Sequence, residues 1–250
     1  MPNEINSAGV LGGGVMGSGI AQALAVGGLK VTVRDVSDEY VEKARATIVD
    51  GRYGLKRGVE RGKTTQADAD AALSRLSFTT SVDDLKDVDL VIEAVPEDLD
   101  LKKKVWAEVD AIAKPEAFFA TNTSGLVIAE LNKAVSEARR PRFIGMHWFS
   151  PAPVMKLVEL VHAPDTAEET IQALESVCAR IGKASVRVKD APGKYGFIAN
   201  RIYFAAVREA QAIMAEGVAT AEDINKAMVS GYNWPVGPLA MVEGARKGWQ

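Results

Sequence analysis

From its amino end the chain alternates short apolar runs with stretches in which apolar residues recur every three or four positions. The first pattern predicts strands and the second amphipathic helices. Strands are expected at 8–11, 31–34, 77–80, 89–93, 118–121, 143–147, 157–161 and 185–188. Helices are expected at 17–26, 39–48, 99–113 and 167–181. Leu90-Val91-Ile92 is continuously apolar, as a strand covered on both faces should be. Strand and helix in alternation predict a parallel sheet wrapped by helices, an α/β fold of the Rossmann-type doubly wound kind. The segment 39–74 is longer than a simple crossover helix needs, so it is read as carrying an inserted helical pair. Asp190-Ala191-Pro192-Gly193 then reads as a turn, and everything beyond Phe197 as helical. Two domains are expected: residues 1–188 carrying the sheet, and a small all-α domain at 189–250.

Composition narrows the classes of function. With 47% hydrophobic and 25% charged residues, the 250-residue chain can bury a core and is not disordered. A net charge of −3 carries no excess of cations for a phosphate backbone, so nucleic acid is not an expected partner. The single cysteine, Cys178, excludes an internal disulfide and a cysteine zinc site; a buried structural thiol in a reducing compartment is expected, and no metal site. No run approaches the roughly 18 apolar residues of a membrane span. Met1-Pro2-Asn3-Glu4 leads into the first strand without a basic and apolar leader, so a cytoplasmic location is expected.

The first strand runs into Gly12-Gly13-Gly14-Val15-Met16-Gly17, a G-x-G-x-x-G followed by a helical pattern. In that setting Gly12 makes the tight turn, Gly14 lets a pyrophosphate approach the backbone, and Gly17 permits close helix–strand contact. Asp35 ends the second strand at roughly the spacing of about 20 residues at which an acid meets the adenosine ribose hydroxyls. A carboxylate there repels a 2′-phosphate, which favours NAD over NADP, although Arg34 beside it is the residue type that accommodates NADP. FAD and S-adenosylmethionine sites share such loops, so the rest of the site must decide.

Of two histidines, His147 ends a strand where an open sheet presents residues to a crevice, and His162 lies at the far end of its own strand. Glu159, inside Leu157-Val158-Glu159-Leu160-Val161, faces apolar surroundings and needs a partner. Pro151-Ala152-Pro153 lets the two strands lie close together. An imidazole held by a carboxylate beside a nicotinamide suits alcohol oxidation: the base takes the hydroxyl proton as hydride leaves carbon. The alternative is a satisfied strand-end histidine.

The run from Ile144 to Glu159, with Gly12–Gly17, Glu93-Ala94-Val95-Pro96-Glu97, Thr121-Asn122-Thr123-Ser124, Gly196-Phe197-Ile198-Ala199-Asn200-Arg201 and Gly237-Pro238-Leu239, closely resembles the 3-hydroxyacyl-CoA dehydrogenases over nearly the whole chain. The resemblance implies a catalytic His147 oriented by Glu159, with Ser124 and Asn200 bonding the substrate oxygen. It implies NAD as cofactor, with Gly12, Gly14, Val15, Met16, Gly17, Asp35, Glu97, Lys102 and Asn122 against the dinucleotide. Lys56 is placed near coenzyme A, an acyl-CoA thioester of short chain is the implied substrate, and the implied assembly is a homodimer with a cleft between the domains. Arg52, Lys56 and Lys63 would form one basic stripe on a continuous helix, or else an ordinary solvated face, since Gly58 and Gly62 interrupt. Ser124 and Asn200 each have a helix-capping alternative, and Lys102 that of a solvated helix lysine.

Two positions depart from the family pattern: Ser150 follows Trp148-Phe149 where asparagine is common, and Tyr195 stands where proline is expected. The helical domain is also short for the family. Two other functions remain open at this level: an NAD-dependent dehydrogenase of a free 3-hydroxy acid of the sugar-acid or carnitine type, and a non-enzymatic NAD-binding protein.

Overall fold

The computed structural model describes residues 4–246. Eight strands form one sheet: β1 Ser7–Leu11, β2 Lys30–Arg34, β3 Leu76–Thr79, β4 Leu90–Glu93, β5 Phe118–Thr121, β6 Phe143–Trp148, β7 Leu157–His162 and β8 Ala184–Lys189. Their order is β3-β2-β1-β4-β5-β6-β7-β8. From β3 to β6 every pairing is parallel; β7 runs antiparallel to β6, and β8 parallel to β7. The sheet is therefore mixed at one end, because the short turn after β6 can only return the chain as an antiparallel neighbour.

The first four α-helices are α1 Val15–Val26, α2 Asp38–Asp50, α3 Leu55–Glu60 and α4 Gln66–Leu73. Then come α5 Leu99–Asp110, α6 Ile128–Leu131 and α7 Glu168–Arg180. The stretch between β2 and β3 holds α2 followed by the expected pair, α3 and α4. Ser37 caps α2 by accepting the Tyr40 N–H, Thr65 caps α4 through Asp68, and Asp98 caps α5 through Leu101. Strands β4, β5 and β6 are buried along their full lengths, and α1 covers the sheet with Ile20, Ala21, Leu24 and Ala25 at zero exposure. Burial on both faces is what Leu90-Val91-Ile92 predicts.

The chain divides into two compact units at Lys194–Tyr195 rather than at 188/189. The linker residue Asp190 belongs with the first unit because its carboxylate accepts the Ala129 backbone N–H at 2.8 Å. The second unit contains α8 Ala199–Ala215, α9 Ala221–Tyr232 and α10 Pro238–Arg246. Thr220 caps α9 through Asp223, and Asn233 ends it in the left-handed region at φ 57°. Asn225 Oδ1 accepts the Leu239 and Ala240 N–H groups at the start of α10. No helix among the described residues is long and apolar enough to cross a membrane.

Candidate active site

Strands β1 and β4 are neighbours whose following segments diverge, to α1 on one side and α5 on the other, which makes the crevice at their carboxyl ends a topological switch point. Gly12 adopts φ 90°, and a Cβ there would sit 2.8 Å from the Ala94 carbonyl oxygen. A Cβ on Gly17 would lie 1.7 Å from the Gly12 oxygen, so only glycine lets α1 start this close to the strand. Gly14 is different: a Cβ there meets nothing within 4 Å. No side chain caps the first turn of α1, which leaves Val15, Met16 and Gly17 as a backbone cradle for an anion. Asp35 closes the loop from the second strand, accepting the Gly13 N–H through Oδ2 and its neighbour Val36 N–H through Oδ1, both at 2.7 Å. This donor set, open backbone and ribose-height carboxylate, fits a dinucleotide.

The dyad follows from register. His147 on β6 stands directly opposite Glu159 on β7, and directly opposed residues of an antiparallel pair project from the same face. His147 Nδ1 lies 2.8 Å from Glu159 Oε2, with the histidine 3% exposed and the glutamate fully buried. The Phe149 ring packs on the imidazole with 4.6 Å between ring centres. Lys183 ties down the turn joining the two strands, donating to the Ala152 and Met155 carbonyls at 2.7 and 2.6 Å. Because β6 is parallel to the strands before it, His147 emerges at the sheet edge that carries the glycine loop. His162 ends β7 at the opposite edge.

Between dyad and crevice lies a polar network that the sequence pattern did not reveal. Glu93, the last residue of β4, is fully buried and accepts from Lys102 Nζ at 2.5 Å, Thr121 Oγ1 at 2.6 Å and Val95 N–H at 2.8 Å. Burial pushes its carboxyl above the ordinary value against the pull of Lys102, Thr121 and Val95. Lys102 and the Val95 N–H meet one carboxylate oxygen and the Thr121 hydroxyl the other. Lys102 is 1% exposed, so it is not a solvated helix lysine; its ammonium also reaches the Val95 carbonyl at 3.2 Å and Glu97 at 3.3 Å. Glu97 in turn accepts Thr123 Oγ1 at 2.5 Å and the Ser124 N–H at 2.8 Å. The hydroxyl that holds the following turn is that of Thr123, which accepts the Gly125 and Leu126 N–H groups. Val127 is the residue at the start of α6, so the capping alternative for Ser124 fails. Asn122 Oδ1 accepts the Trp148 N–H at 2.9 Å, joining the ends of β5 and β6.

In the helical unit Asn200 lies inside the first turn of α8, with Ile198 at the cap position and no side-chain cap, so its capping alternative fails too. Tyr195 is exposed, 6.4 Å from the Phe204 ring, and Ser150 is exposed at the end of the dyad strand.

The basic stripe has a different geometry from the one expected. Gly51 and Gly54 break the chain between α2 and α3, so Arg52, Lys56 and Lys63 do not share a helix. Lys56 is exposed and paired with Asp50 at 2.7 Å. A cavity of about 530 Å³ opens instead between α3 with its flanking turns, α1 and the β6–β7 turn, and Arg52, Arg57, Arg61, Lys63 and Lys183 contribute its cations. A smaller cavity of about 220 Å³, lined in part by Val15, Gly19 and Pro151, shares Gln22, Arg52, Tyr53 and Pro153 with it.

Comparison with known proteins places both parts of the chain in one family. A family model described as the NAD binding domain of 3-hydroxyacyl-CoA dehydrogenase matches residues 7–191, and one for the C-terminal domain matches 196–246. The chain is 40% identical over 232 residues to a 3-hydroxybutyryl-CoA dehydrogenase of Clostridioides difficile, covering 93% of this chain and 80% of that protein. A 3-hydroxybutyryl-CoA dehydrogenase of Mycobacterium tuberculosis is 38% identical, with 96% and 82% covered. A solved (S)-3-hydroxybutyryl-CoA dehydrogenase from Ralstonia eutropha superposes with a TM-score of 0.89 at 43% identity, covering 95% of this chain and 81% of that one.

Proposed function

Because the chain belongs to the 3-hydroxyacyl-CoA dehydrogenase family, whose NAD-binding and C-terminal domains both match it, we propose that it interconverts short L-3-hydroxyacyl-CoA and 3-ketoacyl-CoA thioesters, with His147 as the acid–base group. Bound NAD supplies the hydride acceptor. The backbone N–H groups of Val15, Met16 and Gly17 at the start of α1 would hold its pyrophosphate, and Asp35 its ribose hydroxyls. Glu97 and Asn122 form the crevice wall beside it.

The observation that carries this reading is the buried His147–Glu159 contact, at the same sheet edge as the glycine loop. With Nδ1–H donated to Glu159, the neutral ring has its lone pair on Nε2, the atom that takes the substrate's hydroxyl proton. Glu159 then balances the imidazolium charge where water cannot. Ser124 is assigned the substrate oxygen.

Short chain length rests on the butyryl substrate in the relatives' names. Coenzyme A is assigned the cation-lined cavity, its phosphates to Arg57, Arg61 and Lys63, and its pantetheine arm to the narrower, more apolar cavity that leads back toward Val15 and Pro151. Lys56 is not among the residues that line this cavity and takes no leading part, whereas Arg57 lines it and is held by Glu60 at 2.6 Å. The helical unit exposes Ile202, Val218 and Tyr232, apolar area that a second copy would cover in the expected homodimer, which light scattering tests. A cytoplasmic site of action is part of the same proposal.

The test is NADH oxidation with acetoacetyl-CoA beside free acetoacetate. Turnover should require the thioester, and Arg57→Gln/Arg61→Gln should raise its KM at least tenfold while Lys56→Gln changes it less than threefold. Equal turnover of free acetoacetate would replace the thioester with a free acid as substrate.

A further inference from the structure

We propose that Glu93 is a positioning residue for the dinucleotide and, through Lys102 and Glu97, for Ser124; this rests on the reading that the crevice beyond β1 and β4 holds NAD. A buried ion pair is a poor way to stabilise a core, since well-packed apolar residues of similar volume do as well or better. The Glu93–Lys102 pair nevertheless sits at the carboxyl end of the strand that borders the crevice, where Glu93 is in register with Leu11 of β1 and Thr121 of β5.

What the pair holds is the next stretch of backbone. The Val95 peptide groups are engaged from both sides, the N–H by Glu93 and the carbonyl by Lys102. One residue earlier, Ala94 donates its N–H to the Leu11 carbonyl at 2.8 Å, and its own oxygen lies so near Gly12 that a Cβ there would come within 2.8 Å. Any rotation of the segment 94–97 is therefore felt by the glycine loop. From Val95 the chain reaches Glu97, whose carboxylate takes Lys102 on one oxygen and Thr123 with the Ser124 N–H on the other. Glu93 touches neither cofactor nor substrate; it orients the groups that do. Its carboxylate has the length to meet Lys102, Thr121 and Val95 together, which a shorter acid cannot do.

The experiment compares NADH dissociation constants by fluorescence titration for the parent, Glu93→Gln and Glu93→Asp, with melting temperatures and kcat for acetoacetyl-CoA reduction. Glu93→Gln should weaken NADH binding at least tenfold and lower kcat, leaving the pH at half-maximal kcat in place. Glu93→Asp restores the buried charge, so it should melt near the parent yet still bind NADH at least fivefold more weakly. Parental NADH binding in folded Glu93→Gln would overturn the proposal, and so would full recovery of binding by Glu93→Asp, which would reduce Glu93 to charge balance. Should Glu93→Gln fail to fold, Thr121→Val removes one donor from the carboxylate; unchanged NADH affinity in that variant would overturn the proposal, and a loss of threefold or more would support it. A parent that binds no NADH would overturn the dinucleotide reading, and the role of Glu93 with it.

Discussion

Glu159→Gln preserves the volume of the side chain and removes its charge from a contact that solvent does not reach. The two groups meet at 2.8 Å with the histidine 3% exposed and the glutamate at 0%. When His147 takes a proton, the new positive charge stands about 4 Å from the centre of the carboxylate, worth about 4 kcal/mol at an effective dielectric of about 20. At about 1.4 kcal/mol per decade, kcat should fall roughly a thousandfold. The amide adds a second penalty, because its N–H facing Nδ1 favours the tautomer with the proton on Nε2, where the base is needed. Steady-state NADH oxidation with acetoacetyl-CoA measures kcat, and fluorescence titration of NADH measures cofactor binding, which should change less than threefold. A variant that keeps kcat within tenfold of the parent would refute the electrostatic role of the dyad.

Other consequences follow from single contacts. Asp35→Ala removes the acceptor of the Gly13 N–H and the repulsion toward a 2′-phosphate, so the preference for NADH over NADPH should shrink at least tenfold in a ratio of kcat/KM values. Burial, aided by Glu175, pushes the Cys178 thiol up to about 12; the native chain should resist a thiol reagent at pH 8 and react once in 6 M guanidinium, and rapid native labelling would contradict the buried placement. Burial works to raise the Asp110 carboxyl, but the Ser136 N–H and Arg139 hold it below its ordinary value. A carboxyl with a depressed folded pKa stabilises above its unfolded value, near 4, and loses that contribution as pH falls through the folded one. Asp110→Asn should therefore flatten the acid side of the melting-temperature profile below about pH 4, and an unchanged acid slope would exclude the Asp110–Arg139 contact as its source.

The strands were legible because burial on both faces leaves uninterrupted apolar runs, as at Leu90-Val91-Ile92, and the crevice because Gly12 and Gly17 have backbone reasons to be glycine. The dyad was legible in part: a strand-end histidine and a carboxylate among apolar residues each ask for a partner, but only the β6–β7 register makes them opposite. Lys102 was not legible as a buried group. It opens a run of three lysines on α5, which reads as a solvated face until Glu93 on β4 is seen beneath it. Nor could adjacent hydroxyls be told apart: Thr123 anchors the turn that sequence alone could equally have given to Ser124. The basic cavity escaped because its cations come from separate places, Arg52 from a turn, Arg57 from α3 and Lys183 from the start of β8's approach. The break between α2 and α3 has a local cause, since a Cβ on Gly51 would lie 2.4 Å from the Thr47 oxygen and on Gly54 2.9 Å from the Ile48 oxygen.

The most direct test of the account is the initial rate of NADH formation from NAD with L-3-hydroxybutyryl-CoA, its D-isomer and free L-3-hydroxybutyrate, followed by absorbance. The account predicts turnover with the L-thioester at least a hundredfold above the other two; no turnover with it, or equal rates for all three, would contradict the assignment of His147, Glu159 and the cation-lined cavity to this chemistry.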